Sequence, residues 1–191
     1  MSPRVGLDTE TVVNAAIEMA DAKGIEAVTI ATLAKKLQIR PPSLYNHITG
    51  LEELKKKVAL YSLEQLYKRL ETAALHKKGD EAIRAISYAY VTYVRSHPGL
   101  YAASVQLPNL KDPDIQYIGD KIVKLVLKAL SDYSLTEEEA IHGVRGLRSI
   151  LHGFASLEQS GNFGLPLDID VSLKLLIETF IRGIHSLENQ K

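Results

Sequence analysis

Apolar residues recur every three or four positions along most of the chain, and no stretch alternates apolar with polar positions between hairpin turns. That period predicts an all-α protein. The first helix is expected from about Thr9 to Lys23: Asp8 or Thr9 can cap it, Val13, Ile17 and Ala20 share one face, and Gly24 supplies a left-handed stop. Thr29 then caps a short helix carrying Leu33, Ala34 and Leu37, whose apolar face meets Ile39 and Leu44 from the next segment. A long helix follows over residues 51–75, with Leu54, Val58, Tyr61 or Ser62, Leu66 and Leu70 in register and the glycine of "HKKGD" at its end. "DEAIRAISYAYVTYVRSH" aligns Ile83, Ile86, Tyr90 and Val94, and Pro98 with Gly99 is expected to stop it. Asp112 and Pro113 open the next helix, and Thr136 with Glu139 forms a capping box at the head of the one after. The last helix runs from about Asp168 or Asp170 to Leu187. The organisation read from this pattern is an N-terminal three-helix unit over residues 1–50 and a larger helical domain over 51–191, with 51–75 as the connecting helix.

Two helices separated by three or four residues, and packed through Ala34, Leu37, Ile39 and Leu44, describe a helix-turn-helix. Prolines at the start of the second helix are tolerated because the first backbone N–H groups of a helix have no internal partner. Ser43, Tyr45, Asn46 and His47 then offer hydroxyl, phenol, amide and imidazole groups suited to phosphate oxygens and base edges in a major groove about 12 Å wide. Geometry alone leaves a second reading open, since such corners also occur in helical proteins where Tyr45 and His47 merely pack on a neighbouring helix.

"TVVNAAIEMADAKGIEAVTIATLAKKLQIRPPSLYNHITGLEEL" resembles the DNA-binding domain of the TetR family of bacterial transcriptional regulators. The Ala-Ala pair and glycine of the first helix, the Thr before "LAKKL" and the "SLYNH" signature carry the resemblance over residues 9–58. It implies that Thr29, Ser43, Tyr45 and His47 hold the DNA backbone, and that Arg40, Pro42, Ser43, Tyr45 and Asn46 face the bases. Lys36 and Lys55 complete the expected DNA-binding set. Two positions depart from the family pattern: Gln38 stands in the turn where glycine is usual, and Leu51 stands where a lysine usually begins the fourth helix. Lys55 or Lys56 is the expected substitute for that lysine. Further along, "LHGFASLE" at residues 151–158 is similar to the His-Gly segment of a subgroup named for a Trp-His-Gly pattern, although the chain has no Trp.

Composition changes this picture mainly by exclusion. Apolar residues make up 46% and charged residues 24% of 191, a balance that indicates a folded protein. No apolar run approaches the roughly 20 residues needed to cross a bilayer, and the opening "MSPRVGLDTE" lacks the apolar segment of a secretion signal, so the expected compartment is the cytoplasm with no membrane partner. Zero cysteines rule out a disulfide framework, a thiolate zinc site and a cysteine nucleophile together. With 23 basic and 23 acidic residues the net charge is zero, so a polyanion site has to be local. Between Leu33 and Lys57 the residues Lys35, Lys36, Arg40, Lys55, Lys56 and Lys57 outnumber Glu52 and Glu53.

The family resemblance implies a homodimer joined by the last two long helices. The small residues Gly143 and Gly146, beside Leu147, Leu151 and Phe154, are its expected interface. The alternative is that these residues fill the chain's own core. Tyrosines and histidines concentrate at Tyr90, Tyr93, His97, Tyr101, Tyr117, His142 and His152, and with Arg145 they are the expected walls of a small-molecule effector pocket. The resulting expectation is a ligand-responsive repressor that binds a palindromic double-stranded DNA operator, without catalytic residues, metal or cofactor. The competing classes are a helical metal-dependent enzyme and a helical interaction protein that does not bind DNA. Glu139 and His142 have the spacing used in di-metal carboxylate bundles, but no second such pair is present, and no P-loop or dinucleotide fingerprint appears.

Overall fold

The computed structural model describes residues 7–106 and 111–188. Among the described residues the chain is helical throughout, with α1 (Thr9–Lys23), α2 (Ile30–Leu37), α3 (Pro41–Leu44), α4 (Leu51–Ala74), α5 (Gly79–Ser96), α6 (Pro98–Val105), α7 (Pro113–Leu130), α8 (Glu137–Gln159) and α9 (Ile169–Glu188). A single 3-10 turn, Ile25–Ala27, links α1 to α2. No described helix is long and apolar enough to cross a membrane.

The helix ends follow local chemistry. Asp8 accepts a hydrogen bond from the Thr11 N–H at 2.7 Å, and Thr29 and Thr32 close a reciprocal cap on α2. At the head of α8, Thr136 and Glu139 satisfy each other's backbone N–H groups, a cap of the kind that stabilises a helix by about 1 kcal/mol. Two ends differ from the sequence expectation. The left-handed residue that closes α4 is His76, at φ 62°, while Gly79, also left-handed at φ 47°, stands at the first position of α5. Pro98 and Gly99 likewise do not leave a loop: α5 stops at Ser96, and Pro98 starts α6 at a position where a missing N–H costs nothing.

The chain divides into two compact units, one comprising residues 1–65 with 97–116 and the other 66–96 with 117–191. In the first, Val12, Ala16, Ala20, Val28, Leu33, Leu44, Leu54 and Val58 are buried together with Leu100 and Ala103 of α6. Helix α6, which lies beyond residue 50, therefore packs within the same unit as α1–α3. Its seat on α1 depends on a glycine: a Cβ built on Gly99 would lie 1.9 Å from the Ala20 carbonyl oxygen and 3.1 Å from that of Asp21. The same junction is held by His97, whose Nδ1 lies 2.8 Å from an Asp21 carboxylate oxygen. Lys56 of α4 bridges Asp112 and Asp114 at the head of α7, at 2.7 and 2.9 Å.

In the second unit α5, α8 and α9 surround a core containing Ile83, Ile86, Tyr93, Leu147, Leu151, Leu173 and Ile177. Arg84 forks onto Glu178 through Nε and one terminal nitrogen, at 2.6 and 2.9 Å, tying α5 to α9. Asp80 accepts hydrogen bonds from the Tyr133 hydroxyl at 2.7 Å and lies 2.9 Å from His185 Nε2.

Two stability effects follow. Gly99→Ala should destabilise the fold by about 1–3 kcal/mol or more, because the obstacle is backbone and cannot rotate away; chemical denaturation with an unchanged m-value would measure it. At the α3–α4 junction Glu53 accepts hydrogen bonds from both the backbone N–H and the hydroxyl of Thr49, and these, with Lys57, hold its carboxyl down at about 2. A carboxylate depressed in the folded state adds stability above its unfolded value and loses it as pH falls toward the folded value. The stability difference between wild type and Glu53→Gln should be full near neutral pH, shrink below pH about 4.5 and vanish near pH 2 in parallel denaturation series.

Candidate nucleic-acid interface

The turn between α2 and α3 is made by Gln38, which adopts φ 55° and ψ 40°, a left-handed conformation that glycine adopts at less cost. Its N–H caps the end of α2 by bonding the Lys35 carbonyl at 3.2 Å, and the Ile39 N–H reaches the Ala34 carbonyl at 3.0 Å. The turn thus keeps its geometry despite the departure from the family residue. Leu33, Ala34 and Leu44 are buried on the inward side, which fixes the angle between the two helices.

Helix α3 is a single turn, and Pro41 and Pro42 occupy its first positions. Tyr45, Asn46 and His47 continue it as a turn, with the His47 N–H on the Leu44 carbonyl at 2.8 Å. Burial of Leu44 and Ile48 anchors both ends of this segment and leaves Arg40, Pro42, Tyr45 and Asn46 exposed, with Tyr45 at 58%. Ser43 and His47 are half-buried beside them. The Thr9 hydroxyl donates to the His47 carbonyl at 3.1 Å, which pins the end of the segment to α1. The structure therefore gathers Arg40, Pro42, Ser43, Tyr45, Asn46 and His47 on one short projection.

The basic residues are disposed differently. Lys36 pairs with Glu18 at 2.8 Å, Lys55 lies 3.8 Å from Glu26, and Lys57 pairs with Glu53 at 3.1 Å. Among the described residues Lys35 and Arg40 make no ion pair, and both are exposed. Lys56 is held by Asp112 and Asp114, so it is not placed to replace the lysine that Leu51 displaces. Leu51 itself packs against the apolar core of this unit. Thr29 spends its hydroxyl as the α2 cap and remains half-buried.

The residues expected around an effector are dispersed. His97 and Tyr101 belong to the first unit, where His97 is committed to Asp21. In the second unit Tyr90 and Tyr93 are buried on α5 and His152 is half-buried on α8, whereas His142 and Arg145 are exposed on α8. Tyr117 is 68% exposed on α7, with the Lys121 ammonium 5.8 Å from its ring centre and 4.2 Å from that of Tyr67. A surface groove that the sequence did not suggest lies between α5 and α9, lined by Tyr88, Thr92, Arg95, Asp170, Val171, Leu173 and Lys174, with a volume of about 450 Å³. Its Arg95 is already shared between Glu158 and Asp170, both at 2.8 Å. No group of three His, Asp or Glu residues among those described is placed to hold a metal ion, and Glu139 is occupied by the α8 cap.

The residues expected at a dimer interface lie within the chain's own packing. Gly143, Leu147, Leu151 and Phe154 are buried within their own unit, Gly143 against Leu130 and Ile184, so they face the chain's own core. Gly146 meets Phe180 of α9. The same two helices leave other apolar residues uncovered: Leu157 of α8, and Leu175 and Leu187 of α9. Beside them Gly153 and Gly183 have open space where a side chain would project.

A family model described as "Tetracyclin repressor-like, C-terminal domain" matches residues 83–180. Over 185 residues the chain is 40% identical to YobS, an uncharacterized HTH-type transcriptional regulator of Bacillus subtilis, with 96% of both chains covered. A second regulator so described, Rv0681 of Mycobacterium tuberculosis, is 32% identical over 156 residues, covering 81% of this chain and 72% of that one. Among solved structures, a Rhodococcus protein of unknown function superposes with a TM-score of 0.81 at 17% identity, covering 96% of this chain and 98% of that one. A TetR variant from Acinetobacter baumannii in complex with minocycline superposes at 0.69 with 19% identity, covering 96% and 99%. These two likenesses concern the fold. The matched C-terminal domain and the full-length relatives, together with the helix-turn-helix built above, establish that the chain belongs to the TetR family of transcriptional regulators.

Proposed function

We propose that this regulator is a cytoplasmic, ligand-responsive repressor that binds a palindromic operator as a homodimer. The observation that carries the reading is the exposed projection of Arg40, Pro42, Tyr45 and Asn46, braced from behind by Leu44 and Ile48. One such projection spans too few base pairs to specify a site, so a two-fold pair reading two half-sites is the arrangement it fits. The uncovered apolar residues Leu157, Leu175 and Leu187, beside the open Gly153 and Gly183, support a partner on the α8–α9 surface.

A ligand response has independent support from the second unit. Buried Tyr90 and Tyr93 and half-buried His152 place polar groups on the packed pair α5 and α8, which is the mixture of apolar wall and few polar groups that small-molecule sites use. Minocycline bound to the A. baumannii neighbour is consistent with a ligand in this type of domain. Release of DNA then requires the effector to bind the DNA-incompetent form more tightly than the competent one, since equal affinity shifts nothing.

Operator fragments selected from the source genome provide the probe for two variants. Tyr45→Ala should lower operator affinity at least about tenfold, the scale of one lost good contact of 1–3 kcal/mol, with helical content unchanged by circular dichroism; footprints at wild-type concentration would remove Tyr45 from the interface. Leu51→Lys trades part of an apolar contact for a cation at the start of α4. It should steepen the salt dependence of binding by about one unit of log K per log salt and tighten binding to unrelated DNA as well. An unchanged slope in salt titrations would show that residue 51 lies out of phosphate reach.

A further inference from the structure

The most exposed large apolar side chains in the described chain are Leu165 and Leu167, at 76% and 75%, in the connection between α8 and α9. This connection is ordered by its own contacts. Helix α8 ends with Gly161 at φ +67°, and the N–H groups of Gly161 and Asn162 return to the carbonyls of Glu158 and Leu157 at 3.0 and 2.9 Å. Phe163 folds back on Phe154, with ring centres 5.2 Å apart. On the far side the Asp168 carboxylate accepts the Asp170 N–H at 2.9 Å at the head of α9. Between these anchors the Leu167 N–H bonds the Leu165 carbonyl at 2.8 Å across Pro166, a tight turn that projects both leucines away from the body. Water-exposed leucines on a braced turn are unfavourable in an isolated chain and are expected where another surface covers them.

We propose that residues 161–168 form an intersubunit arm that lies on the N-terminal half of α8 of a second copy of this chain. The inference rests on the dimer reading above and extends it to a surface outside the α8–α9 helix faces. The arm continues directly from uncovered Leu157, so a partner seated on the helix faces also meets the arm. Charge decides which part of the partner it meets. A two-fold axis along the helices would bring Glu137 and Glu138 of both copies together at one end and the two Asp168 side chains together at the other. An axis across α8 instead runs the two copies antiparallel and carries the arm, with Asp168, toward His142, Arg145 and Arg148 of the other copy. Arg145 and Arg148 are exposed and make no ion pair among the described residues, and Ile141 beside them is an exposed apolar contact for the leucines.

The absence of cysteine makes the arrangement directly testable in the full chain. In the double variant Leu165→Cys/Arg145→Cys the arm is anchored at Phe154, about 13.5 Å of helix from position 145, and a bond closed within one chain would in any case run as a monomer, so a covalent dimer reports a bond between copies. Mild oxidation should yield a covalent dimer on a non-reducing gel, and Leu165→Cys alone should not. A dimer from Leu165→Cys alone, or none from the pair, overturns the placement. Sedimentation equilibrium supplies the second measurement: Leu165→Ser/Leu167→Ser should raise the dimer dissociation constant about tenfold or more while leaving circular dichroism unchanged. An unchanged constant overturns the arm and leaves the helix-face dimer standing, with Leu175→Glu reporting on that face. A wild-type chain that stays monomeric at every concentration overturns the dimer reading itself.

Discussion

The first unit depends on a backbone contact that tolerates no side chain. Gly99 at the head of α6 lies against the carbonyls of Ala20 and Asp21 at the end of α1, and only this approach lets Leu100 and Ala103 enter the core formed by α1, α2 and α4. The helix-turn-helix is therefore not a free-standing trio. Its supporting wall comes from a segment more than fifty residues further along, held by the glycine contact and by His97 on Asp21. The chain must leave through α4, traverse α5 and return before the DNA-binding core is complete. A change in α6 consequently reaches the seat of α1, to which Thr9 also ties the His47 end of the helix-turn-helix.

That dependence explains what could be read from the chain before its structure. Helices with a long periodic face were legible, and the helix-turn-helix was legible because its information is local: a cap at Thr29, apolar positions at Leu33, Ala34 and Leu44, and prolines that permit one start only. Helix α6 was hidden because Pro98 and Gly99 also read as a stop, and the contact that gives Gly99 its role is tertiary. The end of α4 was legible only in part: Gly79 does adopt a left-handed backbone, at φ 47°, but His76 adopts one as well, at φ 62°, and closes α4 three residues earlier. The residues expected at an interface are covered within the chain itself. Periodicity marks Gly143, Leu147, Leu151 and Phe154 as apolar, yet it does not say which apolar face the chain covers by itself. The effector residues were grouped by composition, and nearness in composition carries no information on convergence: Tyr117 points to solvent while Tyr93 is sealed.

Charge pairing limits what the DNA-binding unit can do alone. Lys36, Lys55 and Lys57 sit beside Glu18, Glu26 and Glu53, and Lys56 is committed to two aspartates, so most of the local basic excess is neutralised within the unit. Counterion release, which supplies most sequence-independent affinity, scales with the number of phosphates neutralised, and among the described residues 33–57 Lys35 and Arg40 are the cations outside such pairs. A net charge of zero adds no long-range steering. On the proposed reading, affinity would rest on hydrogen bonds and contacts from Tyr45, Asn46, Ser43 and Arg40, which are short-range and sensitive to fit.

Such a reader gains from rigid duplication more than from added charge. When two copies are joined, the second half-site binds at an effective concentration set by the linkage, and a stiff linkage raises that concentration only for operators of the matching spacing. A loose dimer would spread the two projections over many spacings and lose discrimination along with affinity. Exposed apolar helix faces alone permit sliding between similar registers, because small residues such as Gly153 and Gly183 offer a smooth surface. A braced turn bearing Leu165, Pro166 and Leu167 has shape, and a shaped contact at some distance from the two-fold axis resists rotation of one subunit against the other. In the proposed dimer, the paired charges of the helix-turn-helix unit and the apolar arm answer to one requirement, since two copies that read DNA by fit would have to be held at a fixed separation.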